Sequence, residues 1–291
     1  MKKILCYVLA LTMLMGFGSA FAMNVGDARA VIGADLSEDQ IAVVYESFGI
    51  ERGSVTELAV NNAEERQYLE GLVDDSMIGT RSISCVYIEI LEEGSGLEIA
   101  TNNISWCTEN VYINALATAG IADARVIVSS PIAGISGTAA LTGIYKAYED
   151  ITGEELDEVA KLVGTQELVI TQELADEIGS YDAAVIVNEL KLILAETANM
   201  TDEEIRAEIL RIAADYDVTL TDGQVDQLVE LCRSLEKMGA DELLNTVQSV
   251  QNTIQKLAEA QSTAQRVITT VKEFINSVGE FFDKIMAFFG L

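Results

Sequence analysis

The sequence predicts an α+β protein with a small mixed sheet and helices in its N-terminal half. The C-terminal half is expected to be all-α and to end in a long amphipathic helix. Strand-type residues concentrate in the first half, whereas helix-start signals and a heptad pattern fill the second. We expect four regions: a signal peptide (1–22), a mixed α/β head (23–150), a helical domain (151–238) and a heptad-patterned helix (239–291).

The strand signals of the head lie between residues 81 and 130. Residues 81–91 are rich in β-branched and aromatic side chains, a glycine-containing turn follows, and residues 97–104 begin by alternating. This pattern predicts a hairpin. Residues 108–121 predict a helix with a Schellman-type end at Gly120, and residues 124–130 predict a short buried strand. The order of these elements contains a possible β-α-β crossover.

A repeated capping signal predicts the helix starts. An apolar residue, a Ser or Thr, a Glu or Gln three positions later and a second apolar residue recur four times. Such a capping box satisfies two free backbone N–H groups at once. The pairs are Ser37 with Gln40, Thr152 with Glu155, Thr201 with Glu204 and Thr221 with Gln224, and Asn62 with Glu65 gives a fifth box. In the helical domain we expect helices at about 154–163, 172–179, 182–198, 202–216 and 222–238.

The C-terminal region carries a heptad seam. Between residues 243 and 289, thirteen of the fourteen positions reached in steps of four and three are apolar. Such a seam predicts a helix that associates with a second copy of the chain or with a protein partner. The flanking positions are mostly Gln, Ser and Thr, so they specify partner and orientation weakly.

The N-terminus predicts export. Lys2 and Lys3 precede an apolar run, and residues 20–22 (Ala-Phe-Ala) fit a cleavage site. These are the parts of a secretory signal peptide. After cleavage, no later segment is apolar over the length that a membrane span needs, so no transmembrane segment is expected. The predicted location is therefore secreted or associated with the cell envelope.

Charge and composition exclude several functions. The chain has 18 basic and 47 acidic residues, a net charge of −29, which argues against nucleic-acid binding. Histidine is absent, which removes Ser–His–Asp and Cys–His catalysis and every histidine-ligated zinc site. Of the cysteines beyond the leader, Cys85 and Cys107 lie at a spacing that leaves their pairing open. Cys232 completes an odd number, so at least one thiol has no partner within the chain.

The stretch at residues 129–149 holds the single proline and the candidate binding site. Gly134, Ser136, Gly137 and Thr138 would lie past the carboxyl end of a strand and open a helix. A helix start of this kind can cradle a phosphate or carboxylate. The other interpretation is architectural: Ser136 caps the helix and the small residues allow tight packing, and this is the interpretation we favour. The order of residues matches neither a nucleophile elbow nor a P-loop.

No catalytic residue, metal site or cofactor is predicted. Paired carboxylates are too common in this chain to single out a pair. Residues 215–226 place acids at positions one, three and twelve of an EF-hand loop, but Leu220 stands where the loop requires glycine. Calcium binding in the acidic helical half therefore stays an open alternative.

Several blocks together resemble a known family. They are "GTRSIS", "VYIEI", "GSGLEIATNNISW", "YINALATAGI", "SGTAALTGIYKAYE" and "LADEIG". Their combination resembles the secreted bacterial proteins grouped as domain of unknown function 1002, over roughly residues 25–238. The resemblance implies an exported protein of Gram-positive bacteria and brings no activity, cofactor or catalytic residue.

We therefore expect a non-enzymatic interaction protein of the cell envelope or the extracellular space. The heptad helix would mediate self-association or partner binding. The alternative is a small anionic-ligand binder, or a histidine-free hydrolase, that uses the strand-to-helix junction at Ser136.

Overall fold

The computed structural model describes residues 24–238 and contains a five-stranded mixed sheet in the order β2-β1-β3-β5-β4. The strands are β1 (Ala28–Gly33), β2 (Thr56–Val60), β3 (Cys85–Ile90), β4 (Leu97–Asn102) and β5 (Ala124–Ser129). The predicted α+β class is confirmed. The predicted signal peptide and the predicted heptad helix lie outside the described residues.

Most of the described chain outside the sheet is helical. The helices are α1 (Glu38–Phe48), α2 (Asn62–Leu69), α3 (Asp75–Ile78), α4 (Glu109–Thr118), α5 (Thr138–Thr152), α6 (Glu158–Ile178), α7 (Ser180–Leu192), α8 (Leu194–Thr197), α9 (Asp202–Asp215) and α10 (Asp222–Leu235). A 3₁₀ turn, Glu236–Met238, follows α10.

The pairing of the strands gives the sheet one chemically distinct edge. β1 pairs with β2 and β4 pairs with β5 in parallel, whereas β3 runs antiparallel to both β1 and β5. Four strands therefore point the same way, and their carboxyl ends meet the amino end of β3. We call this side of the sheet the carboxyl edge. The β4–α4–β5 unit is the β-α-β crossover that the sequence predicted.

The predicted hairpin between residues 81–91 and 97–104 is wrong in its pairing. Both strands form, but β5 lies between them. The sequence of β5 suits the inner position better than that of β4, because its Ala124, Val126 and Val128 are fully buried on one face, whereas most of β4 is partly or fully exposed, as is typical of an edge strand. The connection from β3 to β4 crosses the start of β5, where the N–H of Leu91 donates to the carbonyl oxygen of Asp123 at 3.0 Å. β1 and β2 were not predicted from the sequence.

Three of the predicted capping boxes are confirmed with both hydrogen bonds present, at Ser37, Thr201 and Thr221. The box at Thr152 is wrong. Thr152 is the last residue of α5, which ends at Gly153 with a φ of +70°, and α6 begins five residues later under a cap from Asp157. Gly153 adopts the left-handed conformation that commonly follows a helix, so the chain turns before the box can form.

The fifth box is displaced by one residue. Asn61 caps α2 and Glu64 reaches back to it, in place of the predicted Asn62 and Glu65. Glu65 is thereby left off the cap, and its side chain is fully buried.

In the helical domain, α9 and α10 confirm the last two predicted helices. The predicted helices at 154–163 and 172–179 form one continuous helix, α6, and the helix expected at 182–198 is divided into α7 and α8. The predicted end of α4 is confirmed, because the N–H of Ile121 donates to the carbonyl oxygen of Leu116 at 2.9 Å.

The sheet is covered on both faces. On one face, a continuous cluster of buried apolar side chains extends from Val31 on β1 through α4, α5 and α6 to Leu235 on α10. On the other face, α1 covers a smaller cluster that includes Ala30 and Phe48. The covered faces fix the strands, and the loops at the carboxyl edge are positioned by them.

A buried ion pair joins three helices inside the larger cluster. Lys191 on α7 donates to the carboxylate of Glu167 on α6 at 2.7 Å, and both side chains are fully buried. The Lys191 ammonium also donates to the carbonyl oxygen of Asn114 on α4 at 3.0 Å, and the Thr118 hydroxyl donates to Glu167. Burial raises the pKa of Glu167 and lowers the pKa of Lys191, and the contact between the two opposes both shifts.

We predict that Lys191→Met lowers the free energy of unfolding by about 3–5 kcal/mol, because the Glu167 carboxylate would be buried without a cation. The double variant Glu167→Leu with Lys191→Met serves as the control and should recover most of that loss. Urea unfolding of the three proteins makes the comparison. A loss below about 1 kcal/mol in the single variant would contradict the prediction.

Candidate functional site

A cavity of about 500 Å³ opens at the carboxyl edge of the sheet. We call it the edge cavity. It is lined by residues 76–81 (α3 and the loop after it), 83–84 (just before β3), 105–106 (after β4), 134–136 and 138–139 (the junction of β5 and α5) and Glu65 of α2. This is where α/β sheets with parallel strands bind ligands.

The junction between β5 and α5 is tightly packed at Gly137. Its φ is +91°, and a Cβ atom there would lie 2.7 Å from Cγ2 of Ile104 and from the hydroxyl of Tyr112. The Tyr112 hydroxyl donates to the carbonyl oxygen of Gly137 at 2.5 Å. The chain after β4 also pairs with the junction, because the N–H of Cys107 donates to the carbonyl oxygen of Ser136 at 2.9 Å. Only glycine fits this position without displacing its neighbours.

The predicted site residues do not share one environment. Gly134, Ser136 and Thr138 line the edge cavity, whereas Gly137 is buried behind it. Ser136 does not cap α5, so that part of the architectural interpretation is wrong. The residue at the cap position is Gly137, which has no side chain to offer, and α5 begins without a side-chain cap.

The hydroxyl of Ser136 is held by neutral groups. It donates to the carbonyl oxygen of Met77 at 3.2 Å and lies 3.2 Å from the hydroxyl oxygen of Thr138. Among the described residues, no carboxylate or amine forms a hydrogen bond with it. A serine nucleophile needs an adjacent base, so this arrangement suits ligand contact better than covalent catalysis.

Arg81 lies on the wall of the edge cavity, although no pattern in the sequence pointed to it. Between residues 24 and 238, every other arginine forms an ion pair with a carboxylate. Arg81 forms none, and its guanidinium donates to the carbonyl oxygen of Asp35 at 2.9 Å. An unpaired arginine is unusual in a chain with 47 acidic residues.

Ser84 places a second polar group in the wall. It precedes β3, is 2% exposed and lines the edge cavity, yet its hydroxyl has no hydrogen-bond partner in the described part of the chain. The hydroxyl oxygen is not among the fully enclosed polar atoms, so it is open to a molecule in the cavity.

Glu65 is a buried carboxyl group at the same cavity. The hydroxyl of Ser82 donates to it, and the side-chain amide of Asn62 donates at 3.3 Å. Burial raises the pKa of Glu65, and the negative charges of Asp35 and Glu64 raise it further, although the two hydrogen bonds act in the opposite direction.

Trp106 gives the edge cavity an aromatic wall. Its indole N–H donates to the carboxylate of Asp176 at 2.8 Å, which fixes the orientation of the ring. Met77 and Ile135 add apolar surface beside it. The cavity therefore combines hydroxyl groups, one cation and an apolar wall, which is the usual composition of a small-molecule site.

The thiols do not contribute a nucleophile here. Cys85, Cys107 and Cys232 are free and buried. Burial raises the pKa of both Cys85 and Cys107 to about 12. Such thiols stay protonated at neutral pH and are poor nucleophiles.

The acidic side chains do not assemble a metal site within residues 24–238, where no group of three or more candidate ligands is found. In the EF-hand-like stretch, Asp215 pairs with Arg211 at 2.7 Å and Asp226 pairs with Arg206. Two of the three acids of that pattern are thus held by cations on α9. In the same range, no helix has the length and apolar character needed to cross a bilayer.

Comparison with known proteins gives one family and one relative. The model of the family described as "Protein of unknown function (DUF1002)" matches residues 32–257. The chain is 39% identical over 245 residues to the uncharacterized protein YpuA of Bacillus subtilis (strain 168), covering 83% of this chain and 84% of that protein. No solved structure is similar enough to match.

We predict that Glu65→Gln stabilises the protein at neutral pH. Folding raises the pKa of Glu65 above 4.5. The contribution of Glu65 to the free energy of unfolding is therefore complete below that pH and is lost as the pH rises through the raised pKa. A glutamine stays neutral throughout. The gain in the free energy of unfolding should therefore be present at pH 8 and vanish near pH 4, as measured by urea unfolding.

The neighbouring Glu64 provides a matched control of opposite sign. Its pKa is lowered, because the hydrogen bonds from Lys146 and from the N–H of Asn61 outweigh the effect of burial. Glu64→Gln should therefore destabilise the protein at pH 8 and have less effect near pH 4. Equal stability of Glu65→Gln and wild type at pH 8 would contradict the assignment of Glu65.

Proposed function

The chain belongs to the DUF1002 family, and from that premise we propose that it is an exported, non-enzymatic binding protein whose edge cavity takes a small ligand. The observation that carries this proposal is the cavity itself. It brings the unpaired Arg81, the unpartnered Ser84 and the Trp106 ring together at the carboxyl edge.

The size and position of the edge cavity support ligand binding. A volume of about 500 Å³ lies within the roughly 300–1,000 Å³ typical of small-molecule sites. The wall comes from five separate segments of the chain, and the tight packing at Gly137 holds one of them in place. A wall of this kind is largely formed before the ligand arrives, which lowers the entropic cost of binding.

The chemistry of the same residues supports binding without catalysis. The chain has no histidine, the Ser136 hydroxyl contacts neutral groups, and the described thiols are buried. The hydrolase alternative would require a base beside Ser136. The ligand-binding alternative requires only the hydrogen-bonding groups and the apolar wall.

Export is proposed from the first 22 residues, which have the pattern of a signal peptide. The direct measurement is the N-terminal sequence of the protein isolated from the cells that make it, together with its distribution between medium, envelope and cytoplasm. We expect a mature N-terminus near residue 23 outside the cytoplasm. A full-length cytoplasmic protein would contradict export.

Ser105→Phe tests ligand binding in the edge cavity. Ser105 is exposed and lines the cavity, so a phenyl group there should occupy cavity volume while the protein stays folded. We predict that small organic molecules detected by ligand-observed NMR with the wild-type protein lose most of their binding to Ser105→Phe.

The matched control is Ser95→Phe, an exposed serine in the turn before β4 that does not line the cavity. It should bind the same molecules as the wild type. Binding that survives Ser105→Phe, or a screen in which no molecule binds the wild type, would overturn the proposal.

Self-association is a second proposed function, supported by the heptad seam of residues 243–289. A chain ending at Met238 should then contain fewer copies per particle than the full mature chain, when the mass from light scattering is divided by the mass of one chain at equal protein concentration. The same number of copies per particle together with unchanged stability would count against association through this region.

A further inference from the structure

We infer that the ligand of the edge cavity is a small organic anion with a single negative charge, whose charged end binds Arg81 and Ser84 and whose apolar body lies against Trp106. This inference rests on the proposed function and adds the chemical class of the ligand. Arg81 and Ser84 come from outside the junction that the sequence singled out, so they are independent evidence for it.

The unpaired Arg81 provides the positive charge. Arginine binds carboxylates and phosphates through parallel N–H groups, and elsewhere between residues 24 and 238 each arginine has found such a partner within the protein. Arg81 donates one hydrogen bond to a backbone carbonyl oxygen, so the remaining N–H groups of its guanidinium are available to a ligand.

Ser84 is the second, independent observation. The Ser84 side chain lines the cavity without a protein partner, and its hydroxyl is not among the fully enclosed polar atoms, so it is open to hydrogen bonding with a molecule in that cavity. A hydroxyl can donate to an anion, and Ser84 lies three residues along the chain from Arg81. Both groups therefore reach the cavity from the segment that leads into β3.

The start of α5 adds further donors to the wall of the same cavity. Thr138 and Ala139 line the cavity, and α5 has no side-chain cap. The first N–H groups of a helix have no acceptor within it, and its N-terminus carries partial positive charge. This feature alone would not define a site, but it lines the same cavity as Arg81 and Ser84 and favours the same sign of ligand charge.

The acids around the cavity limit the ligand to one charge. Glu65 lines the cavity, and Asp35 and Glu64 act on it electrostatically. Of these, Glu64 is paired with Lys146 at 2.6 Å, whereas Asp35 accepts from the N–H of Ser82 at 2.8 Å. These carboxylates would repel a dianion more strongly than a monoanion. Only one arginine lines the cavity to offset that repulsion.

The apolar part of the cavity wall indicates that the ligand has an apolar organic portion and is not a bare ion. Trp106, Met77 and Ile135 supply apolar surface, and a cavity of about 500 Å³ is far larger than a single carboxylate. Burying an apolar group against this wall would contribute to affinity in proportion to the area covered.

The chain has one tryptophan, so the fluorescence of Trp106 reports on the edge cavity directly. The full mature protein is titrated with cyclohexanecarboxylate, cyclohexanecarboxamide and cyclohexylmethylamine, which share a body and differ in charge. We expect the carboxylate to give a saturable response and to bind roughly tenfold or more tightly than the amide and the amine. Cyclohexyl phosphate, with its second charge, should bind less tightly than the carboxylate.

Arg81→Gln should weaken binding of the carboxylate roughly tenfold or more and leave binding of the amide nearly unchanged. The matched control is Lys237→Gln, which removes the other described cation without an ion pair, outside the edge cavity. It should bind like the wild type. Ser84→Ala should weaken binding of the carboxylate to a smaller extent than Arg81→Gln does. Glu65→Gln should strengthen binding of cyclohexyl phosphate.

The outcomes separate this inference from the proposed function. If the amide or the amine binds as tightly as the carboxylate, or if Arg81→Gln binds the carboxylate like the wild type, the anionic ligand is wrong, although a ligand-binding cavity would stand. If cyclohexanecarboxylate does not change Trp106 fluorescence saturably, the inference is also overturned, whatever inorganic phosphate does. The Ser105→Phe variant tests only whether ligands bind in the edge cavity, and its result does not depend on the charge of the ligand.

Discussion

The packing of Gly137 against Ile104 and Tyr112 is the constraint on which the arrangement of the carboxyl edge depends. With a Cβ atom 2.7 Å from both neighbours, any other residue would push the junction away from the chain that follows β4. Because the backbone is held there, Ser136 and Thr138 face the edge cavity from a fixed position, and α5 starts beside it without a side-chain cap. The architectural interpretation of this junction and the binding interpretation are therefore compatible, since tight packing behind the junction shapes the cavity in front of it.

The sequence predicted local structure better than the pairing of distant segments. The boxes at Ser37 and Thr201 formed as expected because a capping box involves four consecutive residues. The hairpin failed because strand order depends on which strand is covered on both sides, and β5 follows later in the chain. β1 and β2 were missed for related reasons. β1 is buried along most of its length without a clear alternation, and β2 is a short edge strand whose residues are largely exposed.

The candidate site was predictable only in part. The glycines and hydroxyls of residues 134–138 drew notice because their order after a strand is a local pattern. Arg81 is not part of any such pattern. It stands out because no carboxylate pairs with it, and this can be seen only once the ion pairs of the other arginines are known. Glu65 was hidden by a displacement of one residue: the sequence assigned it to a cap, whereas Glu64 takes that role and Glu65 is buried beside the cavity. A charge left unpaired in an acidic chain is therefore a useful signal that only the fold reveals.

A crystal structure of the mature protein with 4-bromobenzoate tests the central claim most directly, because the anomalous signal of bromine locates the ligand without ambiguity. We expect the carboxylate within hydrogen-bond distance of the Arg81 guanidinium and the Ser84 hydroxyl, and the brominated ring against Trp106. This expectation would be contradicted by a structure in which Arg81 pairs with an acidic side chain of the protein, Ser84 has a protein partner and the edge cavity holds no ligand.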